Sequence, residues 1–241
     1  MPQKFQIIKT KRLKKSSHKW LLRQINDPFV ERARAEGWKS RAAFKIIEID
    51  EKFKIFKKGK VVLDLGAAPG GWSQYAVTKV GDGNVVALDL LPISNISGVK
   101  FFEQDFLAED APEKIINELK NIRRNVEGKC DVLMSDMASN TTGDHATDHL
   151  RIIALLESSL ELAGKILRNG GCFAGKVFQG GEVDEIIKKL RKDFLSVKYF
   201  KPDSSRKESS EIYLVATGFR FKEKEAEEKL AESLRNKKRT S

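Results

Sequence analysis

The stretch 61–75, VVLDLGAAPGGWSQY, does most to limit what this chain can become. A short apolar run carrying one acid, Asp64, passes directly into the turn Gly66-Ala-Ala-Pro-Gly-Gly71, and Trp72 opens a helical pattern. Strand, glycine turn and helix start in that order make a nucleotide-type pocket: glycine lets the backbone approach a ligand, and the helix start offers unpaired N–H groups. The turn is not the dinucleotide fingerprint, because Gly66-Ala67-Ala68 lacks the second glycine of G-x-G-x-x-G, and no Lys-Ser or Lys-Thr pair follows to make a P-loop. Asp64 before the turn repels a pyrophosphate but suits an ammonium group. That combination favours S-adenosyl-L-methionine, whose methionine end carries an amine and whose sulfonium is positive.

Around this stretch, β-branched runs alternate with longer helical patterns, which predicts βαβ units and a mainly parallel sheet. Strands are expected over 61–66, 84–91, 100–105, 131–137, 171–178, 197–201 and 212–218. Helices are expected over 42–56, 72–79, 112–125, 148–167 and 182–194. The fold class is therefore α/β, a mostly parallel seven-stranded sheet with helices on both faces. The 241 residues fit one catalytic domain over 37–220, a basic N-terminal arm over 1–36 and a charged C-terminal tail over 221–241. The arm has no acid before Asp27 and interleaves lysine and arginine with Phe5 and Trp20; the tail ends Arg235-Asn-Lys-Lys-Arg239.

A net charge of +11 calls for an acidic partner, nucleic acid before others. No apolar run reaches the roughly 18 residues of a membrane span, so no membrane partner is expected. Cys130 and Cys172 both open apolar runs and read as packed, reduced thiols of a cytoplasmic protein rather than a disulfide or zinc framework. His145 and His149 have the spacing of a helical zinc pair, but Ala-Thr-Asp between them lacks the H-E-x-x-H glutamate, and no metal is expected.

Ligands of open α/β sheets collect beyond the carboxyl ends of the strands. Acids stand at four successive predicted ends: Asp64, then Asp89 about 20 residues past the glycines, where an acid commonly accepts from a ribose diol, then Asp105 and Asp136. Lys176 lies inside an otherwise apolar strand, where a lysine is almost never buried unpaired. Charged groups in such places gather at functional sites.

With these residues in view, the chain resembles the FtsJ/RrmJ (RlmE) family of ribosomal RNA ribose 2'-O-methyltransferases. The likeness runs from about residue 17 to 219. It rests on Ser40-Arg-Ala-Ala-Phe-Lys45, the stretch from Asp64 to Gln74, Ser135-Asp-Met-Ala138, Lys176-Val-Phe-Gln-Gly180 and Lys201-Pro-Asp-Ser-Ser-Arg206. The resemblance implies a Rossmann-like methyltransferase fold and a catalytic tetrad at Lys45, Asp136, Lys176 and Glu211. It also implies cofactor contacts at Gly70, Trp72, Asp89, Asp105 and Asp136, to which the local pattern adds Asp64, Gly66 and Gly71. The implied reaction moves a methyl group from S-adenosyl-L-methionine to the 2'-hydroxyl of a uridine in large-subunit ribosomal RNA, supports ribosome assembly and leaves S-adenosyl-L-homocysteine. The partner would be ribosomal RNA within the large subunit, not DNA, and the protein a monomer. The family pattern departs at Ser139, where proline is usual, and before Glu211, where Lys207-Glu-Ser-Ser is less basic. Transfer RNA as substrate, or a non-catalytic assembly factor on the same scaffold, are the competing readings.

Overall fold

The computed structural model describes residues 25–123, 125–138, 145–178, 181–206 and 208–220; the basic segments over 4–23 and 222–239, and Ser139, lie outside them. In chain order the elements are α1 (Pro28–Ala35), α2 (Ala43–Phe53), β1 (Val62–Leu65), α3 (Gly71–Val80), β2 (Val85–Asp89), β3 (Val99–Glu103), α4 (Ala111–Lys120), β4 (Cys130–Ser135), α5 (His145–Ile166), β5 (Leu167–Phe178), α6 (Gly181–Asp193), β6 (Phe194–Phe200) and β7 (Glu211–Phe219). The strands form one sheet in the order β3-β2-β1-β4-β5-β7-β6. β1 pairs in parallel with β2 and β4, as do β2 with β3 and β4 with β5, while β7 runs antiparallel to both β5 and β6. The reversal of β7 follows from its connection: the described residues of the 201–210 segment from β6 carry no crossover helix, and a parallel return needs one.

Side-chain alternation along the strands splits the core into two layers. Val62, Val132, Met134, Cys172, Ala174, Tyr213 and Val215 pack with Ile46 and Ile49 of α2 and Trp72, Tyr75 and Ala76 of α3. Leu63, Leu65, Val86, Leu133, Phe173, Val177, Ile212 and Leu214 pack on the other face with α4, α5 and α6. Burying each such large apolar side chain stabilises by about 1.5–3 kcal/mol, so the sheet is firmly held between its helices. Both cysteines are free and buried, and burial pushes the Cys172 thiol up to about 12, as inert packed thiols require.

Several element ends differ from the sequence expectation, and two of the differences matter most for the architecture. β5 begins at Leu167, directly after α5, because Leu167 already pairs with Cys130 before a register shift leads to the Val132–Cys172 pair. The other is α1, which falls inside the segment expected to be a basic arm. Pro28 stands at its start and Asp27 caps it, accepting from the backbone N–H of Phe29. Phe29 packs on Phe44 of α2 at 5.6 Å between centroids, so residues 25–36 rest on the domain.

Candidate active site

The chain leaves β1 for β2 on one side and returns to β4 on the other, so the switch point lies between β1 and β4. Ligands of this architecture bind at that crevice. Asp64 near the end of β1, the turn from Gly66 to Gly71, and Asp136 just past β4 all stand there. At Gly66 (φ 74°) an added Cβ would come 2.5 Å from Met137 Cγ, and at Gly70 (φ 107°) 2.6 Å from Ile96. The glycines therefore serve the chain's own close packing at the switch point as much as a ligand's approach.

Gly70 precedes α3 without a side-chain cap, and the cap comes from the sheet instead. Asp64, fully buried, accepts from the Ser73 hydroxyl at 2.5 Å through Oδ2, while its Oδ1 has no partner. Burial pushes the Asp64 carboxyl up to about 7 against the Ser73 hydrogen bonds, and the charges of Asp136 and Asp89 push the same way. The three acids thus share one field, which a cation would relieve.

Asp89 clasps the turn: Oδ2 accepts from the Ala68 N–H at 2.8 Å and Oδ1 from the Leu91 N–H at 2.9 Å. Asp105 makes the same local turn with the Leu107 N–H, but on an exposed loop two residues beyond β3 rather than at the strand's end. Trp72 is buried against Tyr213 and donates from its indole to the Ala42 carbonyl, which fastens α3 to the start of α2.

The four residues of the expected tetrad are brought together as two ion pairs. Lys176 reaches Oδ1 of Asp136 at 3.1 Å and donates to the Asp136 carbonyl at 2.7 Å; Lys45 of α2 meets Glu211 of β7 at 2.7 Å. Burial alone would raise the Asp136 carboxyl, but Lys176, Lys45 and the Tyr213 hydroxyl outweigh it and hold it below the usual carboxylate range. Tyr213, which sequence reasoning missed, donates to the same oxygen at 2.8 Å. Burial, then the charges of Asp136 and Glu211, drive its phenol well above its ordinary value, so it stays a neutral donor. The signal was present in Glu211-Ile-Tyr213: strand alternation puts both side chains on one face, and a buried tyrosine hydroxyl needs a partner.

Among the described residues no cluster of side chains suits a metal ion; the side chains of His145 and His149 lie outside the described residues. No helix among those residues is long and apolar enough to cross a membrane. A cleft of about 690 Å3 near Gly59, Gly83 and Lys100 opens at the amino ends of the strands, away from these groups.

Strand order, reversed seventh strand and acid-lined switch point together define a Rossmann-like methyltransferase. The model of the family described as FtsJ-like methyltransferase matches residues 38–219. Proteins named ribosomal RNA large subunit methyltransferase E are similar over nearly their whole length: that of Azorhizobium caulinodans is 49% identical over 91% of this chain and 90% of its own. That of Rickettsia bellii is 51% identical over 88% of this chain and 94% of its own. The crystal structure of a Plasmodium falciparum protein assigned as a ribosomal RNA methyltransferase superposes with a TM-score of 0.66, at 28% identity, over 76% of this chain and 98% of that one. The chain belongs to the FtsJ-like methyltransferase family, and its chemistry requires a methyl donor.

Proposed function

We propose that this methyltransferase transfers the methyl group of S-adenosyl-L-methionine to the ribose 2'-hydroxyl of a uridine in large-subunit ribosomal RNA, in support of ribosome assembly. The observation that carries the reading is the Lys176–Asp136–Tyr213 cluster beside the acid-lined turn, with Lys45–Glu211 completing the wall. The names of the similar proteins support the substrate class.

The residues fit such a cofactor. The unpartnered buried Oδ1 of Asp64 and the mutual repulsion of Asp64, Asp89 and Asp136 favour a cationic group, which the donor's amine and sulfonium supply. Gly66, Gly70, Gly71 and Trp72 shape the cradle, Asp89 suits the ribose diol and Asp105 the adenine amino group. The bound cofactor contributes a methyl group on positive sulfur, an electrophile with a good leaving group.

The chain's own part is positioning. Both contacts of Lys176 use N–H donors, and an ammonium has three, so a third holds the incoming 2'-oxygen. Asp136 fixes that ammonium, and Lys45, kept in place by Glu211, adds positive charge beside it. With the donor bound, in-line attack of the 2'-oxygen held by Lys176 would form the oxygen–carbon bond as the sulfur–carbon bond breaks and would displace S-adenosyl-L-homocysteine, with the hydroxyl proton passing to water or to Lys176. Aligning nucleophile and methyl group can supply about 7–11 kcal/mol of barrier reduction.

Basic segments over 4–23 and 222–239 would grip RNA phosphates around a catalytic body that α1 joins, a term that weakens with salt. DNA, lacking the 2'-hydroxyl, is not a substrate. The protein acts as a cytoplasmic monomer. The test incubates it with labelled donor and, separately, large ribosomal subunits, free ribosomal RNA and transfer RNA, then maps alkali-resistant linkages. A single new 2'-O-methyluridine in large-subunit RNA is expected; label confined to transfer RNA, or on a base, overturns the assignment.

A further inference from the structure

Asp27 lies eleven residues before the matched family segment begins at residue 38, yet it is buried and holds three parts of the chain at once. Its Oδ1 caps α1 through the Phe29 N–H. Its Oδ2 takes Arg41 Nη1, from the turn before α2, and Arg206, from the β6–β7 connection, at 3.2 Å from Nη2 and 3.3 Å from Nε. Arg41 then reaches on to the Ser204 carbonyl. On the other side of the same turn, Glu48 of α2 accepts from the backbone N–H groups of Asp203 and Ser204 at 2.5 and 3.0 Å. The connection is closed by Lys201 donating to the Ser209 carbonyl at 2.7 Å, and the Ser209 hydroxyl accepts from the Glu211 N–H at 3.2 Å. Among the described residues, Asp27 at the start of α1, Arg41 in the turn before α2 and Glu48 on α2 thus reach across to the segment leading to Glu211, and Lys45 sits on α2 as well.

We propose that Asp27 is a positioning residue for methyl transfer: by neutralising Arg41 and Arg206 together it holds the 201–210 connection on α2 and so sets Glu211 against Lys45. The inference rests on the reading of the Lys45–Glu211 pair given above. Two guanidiniums at one carboxylate repel each other, and Arg41 is lowered from its ordinary value by burial and by Arg206 in turn. Without the carboxylate the two arginines separate, and the connection that Arg206 belongs to moves with them.

Asp27→Asn is the informative variant, because asparagine caps a helix as well as aspartate but brings no charge to the arginines. The single-turnover methyl-transfer rate is expected to fall at least about tenfold, as small misplacements near a reacting centre do. Donor affinity by calorimetry should stay within about twofold of wild type, and trypsin should cut faster after Arg206 in the folded protein. Because Asp27 acts through Arg206, Asp27→Asn with Arg206→Gln should be no slower than the worse single variant. A rate within about twofold of wild type, additive losses, or an equal loss of donor binding overturns the proposal. If wild-type protein transfers no methyl group to any RNA, the functional reading fails separately. The tryptic rate then decides: unchanged cleavage after Arg206 removes the clamp, and faster cleavage keeps it.

Discussion

Lys176 of β5 and Tyr213 of β7 stand directly opposite one another in the antiparallel ladder, and both reach Oδ1 of Asp136. The register that pairs them thus places an ammonium and a phenol on one acceptor at the end of a third strand. Tyr213 is fully buried, so its hydroxyl has no water to fall back on. Asp136 is fixed from two sides before any ligand arrives, which is what preorganised catalysis asks of a site.

Tyr213→Phe tests that arrangement. It keeps the ring contact with Trp72 at 5.6 Å and removes only the hydroxyl. The loss of one hydrogen bond to a charged group should cost about 1.5–3 kcal/mol of stability and slow single turnover about tenfold or more. Denaturant unfolding and a rapid-quench assay check the two effects. A stable variant turning over at the wild-type rate would leave Tyr213 as packing alone.

The two ion pairs should not be equivalent. Lys176→Ala and Asp136→Ala are expected to abolish turnover with the fold intact, Lys45→Ala to be nearly as damaging, and Glu211→Ala milder. Lys45 acts on Asp136 as well as on Glu211, whereas Glu211 serves mainly to hold Lys45. Stability should fall in every case by less than the about 3–5 kcal/mol of a fully buried broken pair, since Glu211 keeps some access to water. Circular dichroism and single-turnover rates measure both; strong activity in Lys176→Ala removes the assignment.

Much of this was legible in the sequence because it depends on local period and punctuation. The glycine turn, the strand alternation and a lysine in an apolar strand are all visible without distances, and the seven strands, Asp136 and Lys176 follow from them, whereas Lys45 and Glu211 enter only through the family resemblance. Asp64 was legible as an acid in the right place but not as the cap of α3, since that needs the partnership with Ser73 across the turn. Asp105 was read as a strand end, yet β3 stops at Glu103 on the sheet's edge, where periodicity fades. α1 was hidden by charge: two arginines in eight residues look like a solvated arm, while what docks the helix is Phe29 on Phe44 and Asp27 on arginines as far as 179 positions away. Contacts of that separation have no local trace.

The role of Lys176 can be separated from that of a general base by pH. Asp136, held below the usual carboxylate range, gives support that is present above its folded value and lost only as pH falls through it, so it adds no limb near neutrality. With Lys176 as an orienting ammonium, the single-turnover rate should be flat from about pH 6 to about pH 9. Lys176→Arg, which keeps N–H donors, should retain measurable activity. A rising limb in wild type that vanishes in the arginine variant would instead assign the proton to Lys176.

Asp64 should make both stability and donor binding depend on pH, in a direction opposite to an ordinary ion-paired acid. Its carboxyl is raised to about 7 in the native state, so between the ordinary carboxylate value and about 7 the folded protein keeps a proton that the unfolded chain has lost. Stability therefore falls as pH rises across that window and levels off above it. Asp64→Asn should flatten the slope in urea titrations at stepped pH. A cationic donor set against the carboxylate favours its ionised form, so binding near pH 6 should release a proton from Asp64. Calorimetry in two buffers of different ionisation enthalpy reads that proton directly. Equal proton release by wild type and Asp64→Asn would place the donor's positive charge away from Asp64 and leave that side chain as the cap of α3.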